Sequence, residues 1–275
     1  DEHINNTPWQ INIYRALGAS VPAFGHCPII LGDDGLKLSK RRGAVSVTAY
    51  EEGGYLPEAM LNYLARLGWS HGDDELFSQT QMVQWFDGSH LARSPAQWDP
   101  AKLAWVNAQY LKQADDARLA ALVRVQLQRL GLSIDEGAQS GGRQPGDEAH
   151  DVQEERLRAQ CALFKDRCAT TIELAQWVAL MHRRVQASAE DVQTHLTDAA
   201  REGLKALADA LMDAPWTKEG IAAALKRVLT ERRLKMPQLA MPLRVAVFGR
   251  VQTPAVDALL ALMPRDEALA RLREI

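Results

Sequence analysis

The sequence predicts a mainly α-helical protein with a small α/β part near its start. Ala and Leu dominate the composition, while runs of Gly and Val are scarce, which favours helix over sheet. From about Asp99 onward, apolar residues recur at helical spacing almost without interruption. The one strand that we predict is the short apolar run HCPIIL at 26–31.

The first fifty residues contain a helix, a strand and a turn. Residues 7–17 predict a short helix with Thr7 as N-cap, Pro8 at the first helical position and Gly18 as the stop. The strand at 26–31 is expected to be buried and to lead into the turn Gly-Asp-Asp-Gly at 32–35.

Helices follow along the rest of the chain. Pro57 begins one whose apolar positions 60, 61, 64 and 67 share a face, and Ser78 with Gln81 predicts a capping box. Further helices are predicted at 100–111, 115–130, 151–165, 170–185, 188–212, 217–233, 238–248 and 253–262, with a last turn to 274. The Gly-, Pro- and acid-rich stretch 135–151 predicts a mobile surface insertion.

Composition excludes several classes of protein. Among the 275 residues, 47% are apolar and 24% are charged, and no apolar stretch approaches 18 residues, so no membrane span is expected. Cys27, Cys161 and Cys168 form no CxxC pair, which indicates free thiols in a reducing cytoplasm and no zinc site. The start at Asp1 without Met predicts a fragment or a processed product. A net charge of −3 still permits a local basic face that binds nucleic acid.

The segment KLSKRRG at 37–43 is the strongest chemical signal. A glycine-bounded turn that presents four cations suits a loop that holds a polyphosphate and follows charge developing on a leaving pyrophosphate. A solvated hairpin tip explains the same letters when they stand alone.

Its context resembles one family. KLSKR resembles the KMSKS signature of class I aminoacyl-tRNA synthetases in its glutamyl variant. Four longer segments are similar to bacterial glutamyl-tRNA synthetases: DEHINNTPWQINIYRALG, ILGDDGLKLSKRRGAVSV, GYLPEAMLNYLARLGWSHGD and MPLRVAVFGRVQTPAVDALLAL. The resemblance covers most of the chain apart from 135–151.

The resemblance implies an ATP site in the first part of the chain. Lys40 matches the signature lysine that contacts ATP phosphate, with Lys37 and Ser39 as supporting loop residues. Glu2 and His3 match a stretch beside the adenylate. Ile29 and Ile30 match residues against adenine, although a plain buried strand explains them equally well.

The implied reaction joins glutamate to tRNA(Glu) in two steps through glutamyl-adenylate, with Mg²⁺ accompanying ATP. The family's HIGH signature and amino-acid pocket are not found in this sequence, so we expect the chain alone not to activate glutamate. A cytoplasmic monomer is expected, without a membrane partner.

The helical region is implied to read the anticodon. Arg167 matches the arginine that reads the third anticodon base; a guanidinium can donate to the O2 and N3 acceptors of C but meets donors on G. Arg244 and the loop Thr253-Pro254-Ala255-Val256 match further contacts, Val256 standing where some members have Leu. Without the resemblance, Arg167 is a surface charge at a helix start.

The resemblance implies four parts. These are the end of the class I catalytic core (1–50), a helical connecting domain (51–98) and two anticodon-binding bundles (99–187 and 188–275). Two other functions stay open: a free-standing helical tRNA-binding module without catalysis, and a helical scaffold in which KLSKRRG is only a charged loop.

Overall fold

The computed structural model describes residues 2–38, 46–132 and 148–274, and for 148–150 only the backbone. The chain divides into two compact units. Unit 1 comprises Asp1–Ala114 with Ala169–Thr171, and unit 2 comprises Asp115–Cys168 with Ile172–Ile275. The mainly α fold with a small α/β part is confirmed.

Unit 1 begins with a 3-10 turn at Ile4–Asn6, which runs directly into helix α1. The predicted Pro8 and Gly18 take their places, but the predicted cap is wrong: Asn6 is the N-cap, and Thr7 is already helical. The 3-10 turn moves the helix start back by one residue. The helices of unit 1 are α1 (Thr7–Ala16), α2 (Val47–Glu52), α3 (Pro57–Arg66), α4 (Gln79–Trp85) and α5 (Pro100–Gln113).

The predicted strand is shorter and more exposed than expected. Only Ile30–Leu31 (β1) is a strand, and it pairs in parallel with Ala96–Gln97 (β2). Ile30 remains 36% exposed, so the prediction of a buried strand is wrong. Within the described part of the chain β2 is its partner strand, and the side chain of Ile30 faces an open apolar cavity rather than a second layer.

The core uses only part of the apolar face predicted for helix α3. Ala59, Met60 and Tyr63 are buried, whereas Leu61 and Leu64 are 43% and 39% exposed. Met60 is therefore the predicted position that the core takes. The buried Asn62 on this helix is paired: it accepts from the hydroxyl of Tyr110 at 2.7 Å and donates to the carbonyl of Glu75 at 2.9 Å.

Unit 2 is a bundle of helices. They are α6 (Asp116–Arg129), α7 (Glu148–Phe164), α8 (Thr171–His182), α9 (Ala189–His195), α10 (Asp198–Met212), α11 (Lys218–Glu231), α12 (Met236–Phe248), α13 (Val256–Ala261) and α14 (Arg265–Arg273). A 3-10 turn, Lys165–Arg167, follows α7. The first residue of α8, Thr171, belongs to unit 1.

Two predictions for this region need correction. The single helix predicted at 188–212 is two helices, because Thr197 caps α10 by accepting from the amide of Ala200 at 3.3 Å. Helix α7 begins at Glu148, so the described end of the predicted insertion 135–151 is helical. The rest of that insertion up to residue 147 lies outside the described residues.

Candidate functional site

The first candidate site lies in unit 1, where the start of the chain meets the turn that follows β1. The Lys37 ammonium forms an ion pair with the Glu2 carboxylate, and both side chains are about half exposed. The hydrogen bond from Lys37, followed by its charge, holds the pKa of Glu2 below its ordinary value. Ser39 and Lys40, the other predicted loop residues, lie outside the described residues.

The turn before the loop places Lys37 beside β1. The amide of Gly32 donates to the carbonyl of Leu36 at 2.7 Å, and that of Leu38 donates to Ile30 at 2.9 Å. Asp34 accepts from the amide of Leu36 at 2.9 Å, which closes the turn. The predicted turn at 32–35 is thereby confirmed, and it directs the chain from β1 back toward Glu2.

A cavity of about 440 Å³ brings together three of the predicted ATP residues. Glu2, His3 and Ile29 line it, along with Phe24 and His26. The hydroxyl of Thr7 lies 3.0 Å from Nε2 of His26, which ties the loop before β1 to helix α1. Its lining combines the apolar side chains of Phe24 and Ile29 with the carboxylate of Glu2, an arrangement suited to a nucleoside.

Ile30 lines a second, more apolar cavity of about 610 Å³. Its walls include Leu64, Trp69 and Phe86. Trp69 is only 5% exposed, and its indole N–H has no hydrogen-bond acceptor in the described part of the chain. The structure therefore places Ile29 and Ile30 in neighbouring cavities rather than in one.

The second candidate site lies in unit 2, around Arg167 in the 3-10 turn after α7. Lys165 pairs with Asp116 at 2.7 Å, and Sγ of Cys168 donates to the carbonyl of Phe164 at 3.3 Å. These contacts fix both ends of the turn. Arg167 itself is exposed and has no hydrogen bond or ion pair with any described residue. Its guanidinium therefore lies at the surface, on a turn that is fixed at both ends, and is available to bind a partner.

Burial explains the state of the two thiols near this turn. It raises the pKa of Cys161 and of Cys168 to about 12. Both therefore remain protonated at neutral pH and act as apolar core residues, as does the neighbouring Phe164.

Arg244 lies on α12 and is partly buried. Its Nη1 donates to Sδ of Met241 at 3.4 Å, a weak acceptor. Its Nε atom is buried without a hydrogen-bond partner among the described residues. A partly buried guanidinium with an unmatched donor is suited to an acceptor from a bound molecule.

The predicted loop 253–256 connects α12 to α13 in unit 2. The hydroxyl of Thr253 donates to the carbonyl of Pro254 at 3.0 Å, Pro254 is buried, and Ala255 is exposed. Val256 is 5% exposed and starts α13. Thr253 and the backbone of this loop can therefore contact a partner, while the side chain of Val256 packs inward.

A stacked contact joins the two segments that contain Arg167 and Thr253. The rings of Phe164 and Trp177 stack with centroids 5.3 Å apart, and the guanidinium of Arg250 lies 4.9 Å from the centroid of Trp177. Sequence patterns do not distinguish Trp177 or Arg250, because a lone Trp at an apolar helix position predicts only core. Arg250 follows a helix-ending Gly, the one signal that could have pointed to it.

The described residues offer neither a membrane-spanning helix nor a cluster of metal ligands. No helix there is both long and apolar enough to cross a membrane. The same residues contain no group of three or more His, Cys, Asp or Glu side chains placed to hold a metal ion.

Two families of known proteins match successive parts of the chain. Residues 1–105 match the family described as "tRNA synthetases class I (E and Q), catalytic domain", and residues 106–275 match "Anticodon binding domain". The chain belongs to the glutamyl-tRNA synthetase family.

Relatives and solved structures agree with this membership. Proteins called "Glutamate--tRNA ligase" from Polaromonas sp. (strain JS666) and Bordetella petrii are 52% and 55% identical over 99% of this chain. The chain spans about half the length of these relatives, 55% of each. A crystal structure of a glutamate tRNA ligase from Elizabethkingia meningosepticum matches 99% of the chain and 55% of its own at 22% identity, with a TM-score of 0.80, which shows a shared fold.

Membership of the glutamyl-tRNA synthetase family divides the predicted residues cleanly. Every predicted ATP-site residue falls in the part that matches the catalytic domain, and every predicted anticodon residue falls in the part that matches the anticodon-binding domain. The four-part division at 50, 98 and 187 stays a prediction.

Proposed function

We propose that this chain is the anticodon-reading part, with the KLSKR loop, of an enzyme that joins glutamate to tRNA(Glu). The match to the two family descriptions, which meet at residues 105 and 106 and together span the chain, carries the proposal. Unit 2 would bind the anticodon loop through Arg167, Arg244 and Thr253. Unit 1 would hold ATP through Glu2, His3, Lys37, Ser39 and Lys40.

The proposed chemistry has two steps. A carboxylate oxygen of glutamate attacks the α-phosphorus of ATP, and the bond to pyrophosphate breaks. A hydroxyl of the terminal ribose of tRNA then attacks the acyl carbon, and AMP leaves. Neither step needs a side-chain nucleophile, so this chain's part is to position ATP and to neutralise charge on the pyrophosphate.

Lys37 is suited to that part because the carboxylate of Glu2, the partner of its ammonium among the described residues, is exposed. The pair with Glu2 stands in solvent, where exchange of a carboxylate for a phosphate costs little. Ile29 offers an apolar wall in the same cavity as Glu2 and His3, which suits an adenine ring. Ile30 would take part from the adjoining cavity.

Magnesium fits this site as an ion that comes with ATP. Mg²⁺ keeps several waters and binds through substrate phosphates with one or two carboxylates, so it does not need a cluster of protein ligands. Glu2 is a carboxylate at the rim of the cavity. The ion would supply neutralisation of the phosphates; Lys37 and Lys40 would supply the positive charge that this chain contributes.

Binding of tRNA tests the proposal in the chain as it stands. The chain should bind a tRNA(Glu) transcript more tightly than an unrelated tRNA at fixed low salt. It should show no glutamate-dependent exchange of pyrophosphate into ATP. Failure to bind any tRNA at low salt would favour the scaffold function, and robust exchange would contradict our assignment of which parts this chain contains.

Lys40 separates the ligase from the free-standing tRNA-binding module. When the chain is joined to the remaining catalytic part found in its longer relatives, Lys40→Ala should slow exchange by about 100-fold or more. Affinity for tRNA should stay unchanged. An exchange rate equal to that of the parent would return KLSKRRG to a charged hairpin tip.

A further inference from the structure

Arg250 begins the loop after α12 and lies over the ring of Trp177. We infer that Arg250 is an RNA-contacting residue of unit 2, held by Trp177 so that its guanidinium meets a nucleotide of a single-stranded loop. The inference rests on the proposed function, since it names a further contact for the same RNA.

The support beneath Arg250 is layered from the core outward. Phe164 is 1% exposed and stacks on Trp177 at an interplanar angle of 21°. Trp177 is partly exposed, and Arg250 above it is exposed. Each group thus rests on a more buried one, so the position of the guanidinium is set by the core. A cation within about 6 Å of a Trp centroid is favourably placed.

The backbone also restricts where Arg250 can go. Gly249 ends α12 with φ of 65°, and a Cβ on it would lie 2.5 Å from the carbonyl oxygen of Val185. Only glycine allows this close approach in the left-handed region. The chain therefore leaves α12 in one direction, and Arg250 is brought over α8 at the first residue of the loop.

The hydrogen-bonding capacity of Arg250 is unused. It has no hydrogen bond and no ion pair with any residue that the structure describes. The contact with Trp177 uses the positive charge of the guanidinium and none of its N–H donors, which stay available to a partner. A purely structural Arg normally ends on a carboxylate or a carbonyl, as Arg271 does here.

RNA is the partner that suits this arrangement. Unstacked bases of single-stranded loops are bound by stacking on aromatic rings and on Arg planes and by hydrogen bonds to their edges. Arg250 is in the same loop as Thr253, and Trp177 is on the helix that follows the turn with Arg167. The contact of Arg250 with Trp177 therefore joins the two segments that contain these predicted RNA contacts.

The test uses two short RNAs with the whole chain: the anticodon stem-loop of tRNA(Glu) and its acceptor minihelix. Arg250→Ala should weaken binding of the stem-loop by about 5- to 50-fold, the range of one stacked or base-contacting group. It should leave the affinity for the minihelix unchanged. Arg129→Ala, which removes an exposed arginine from α6, is the matched control and should change neither.

Arg250→Lys distinguishes a planar stack from a simple charge. Lys keeps the charge, so the dependence of affinity on salt should match the wild type. It lacks the plane, so most of the affinity lost in Arg250→Ala should not return. Full recovery by Lys would make Arg250 a phosphate contact and would overturn the stacking claim.

Trp177→Phe tests the support. If the two groups act as one, Arg250→Ala combined with Trp177→Phe should weaken the stem-loop no more than Arg250→Ala alone. Thermal unfolding of each variant shows whether the fold is intact. Stem-loop binding by Arg250→Ala equal to that of the wild type overturns the inference and leaves the proposed function standing; a wild type that binds no tRNA overturns the proposed function itself.

Discussion

Nη1 of Arg271 lies 3.0 Å from the carbonyl oxygen of Val247, in the last turn of α12. The same nitrogen donates to the carbonyl of Leu180, in the last turn of α8, at 2.7 Å. The last four carbonyls of a helix lack intrahelical donors, and their dipoles favour a cation. Arg271, only 2% exposed, therefore caps two helices of unit 2 from inside the core.

Replacing Arg271 should destabilise unit 2 strongly. Arg271→Met keeps the length and removes the donors, leaving two buried carbonyls unmatched at about 1–3 kcal/mol each. We expect a loss of at least about 2 kcal/mol in the free energy of unfolding, measured by urea titration. Arg273→Met, on the same helix but exposed, is the control and should change the value by less than about 0.5 kcal/mol. Equal losses in both variants would contradict the capping role.

Acid should destabilise this unit through His182. Nε2 of His182 lies 3.1 Å from Oε1 of Gln160, and burial, followed by the charges of Arg156 and Arg271, lowers its pKa to about 4. In the unfolded chain an imidazole has a pKa of about 6.5. Between these values the unfolded state binds the extra proton, so the stability present above pH 6.5 is lost as pH falls toward 4.

His182→Gln should remove that part of the acid sensitivity. The measurement is the free energy of urea unfolding at several pH values between 4 and 7, compared for wild type and variant. His195→Gln, at a partly exposed position on α9, is the control for replacing a histidine outside this buried site. A slope that His182→Gln leaves unaltered would show that other groups govern unfolding in acid.

Gly249 should be intolerant of a side chain. Gly249→Ala adds a Cβ at 2.5 Å from a backbone carbonyl and forces a left-handed conformation, which alone costs about 1 kcal/mol. We expect lower stability and also weaker binding of the anticodon stem-loop, because Arg250 loses its position. Gly18→Ala tests the conformation without the clash, since nothing lies within 4 Å of its Cβ. It should lower stability less and leave RNA binding unchanged.

The sequence predicts helices here better than it predicts faces. Pro57 and the Ser78–Gln81 capping box act locally, and both helix starts are as predicted. The buried face of α3 depends on what covers it: Met60 and Leu64 both fit the apolar stripe, yet only Met60 meets the core. Periodicity indicates a possible apolar stripe, and tertiary packing decides which of its positions are buried.

The same limit applies to the candidate sites. The local turn at 32–35 places Lys37, and short-range rules suffice to predict it. The pair of Lys37 with Glu2 and the cation–π contact of Arg250 with Trp177 join residues far apart in the chain. No rule of sequence spacing connects such residues, so these contacts can be identified only in the folded structure.

Arg167 is expected to decide between glutamate and glutamine tRNAs. Glutamate anticodons end in C and glutamine anticodons in G. The exposed guanidinium of Arg167, on a turn fixed at both ends, can only donate, which suits the acceptors of an unpaired C and opposes the donors of G. The side chain of Gln can both donate and accept. Arg167→Gln should therefore narrow the preference for glutamate tRNA over glutamine tRNA, mainly by improving binding of the glutamine tRNA.

The size of the change separates base reading from a backbone contact. One good base contact corresponds to roughly 5- to 150-fold in discrimination. Competition binding of the two transcripts at fixed salt, wild type against Arg167→Gln, measures it, with Arg129→Ala as the control for loss of an exposed charge. If Arg167 contacts a phosphate instead, both tRNAs should bind more weakly by similar factors and the salt dependence should fall. An unchanged ratio with unchanged affinities would leave Arg167 a surface charge, because a group that reads a base must respond to which base is present.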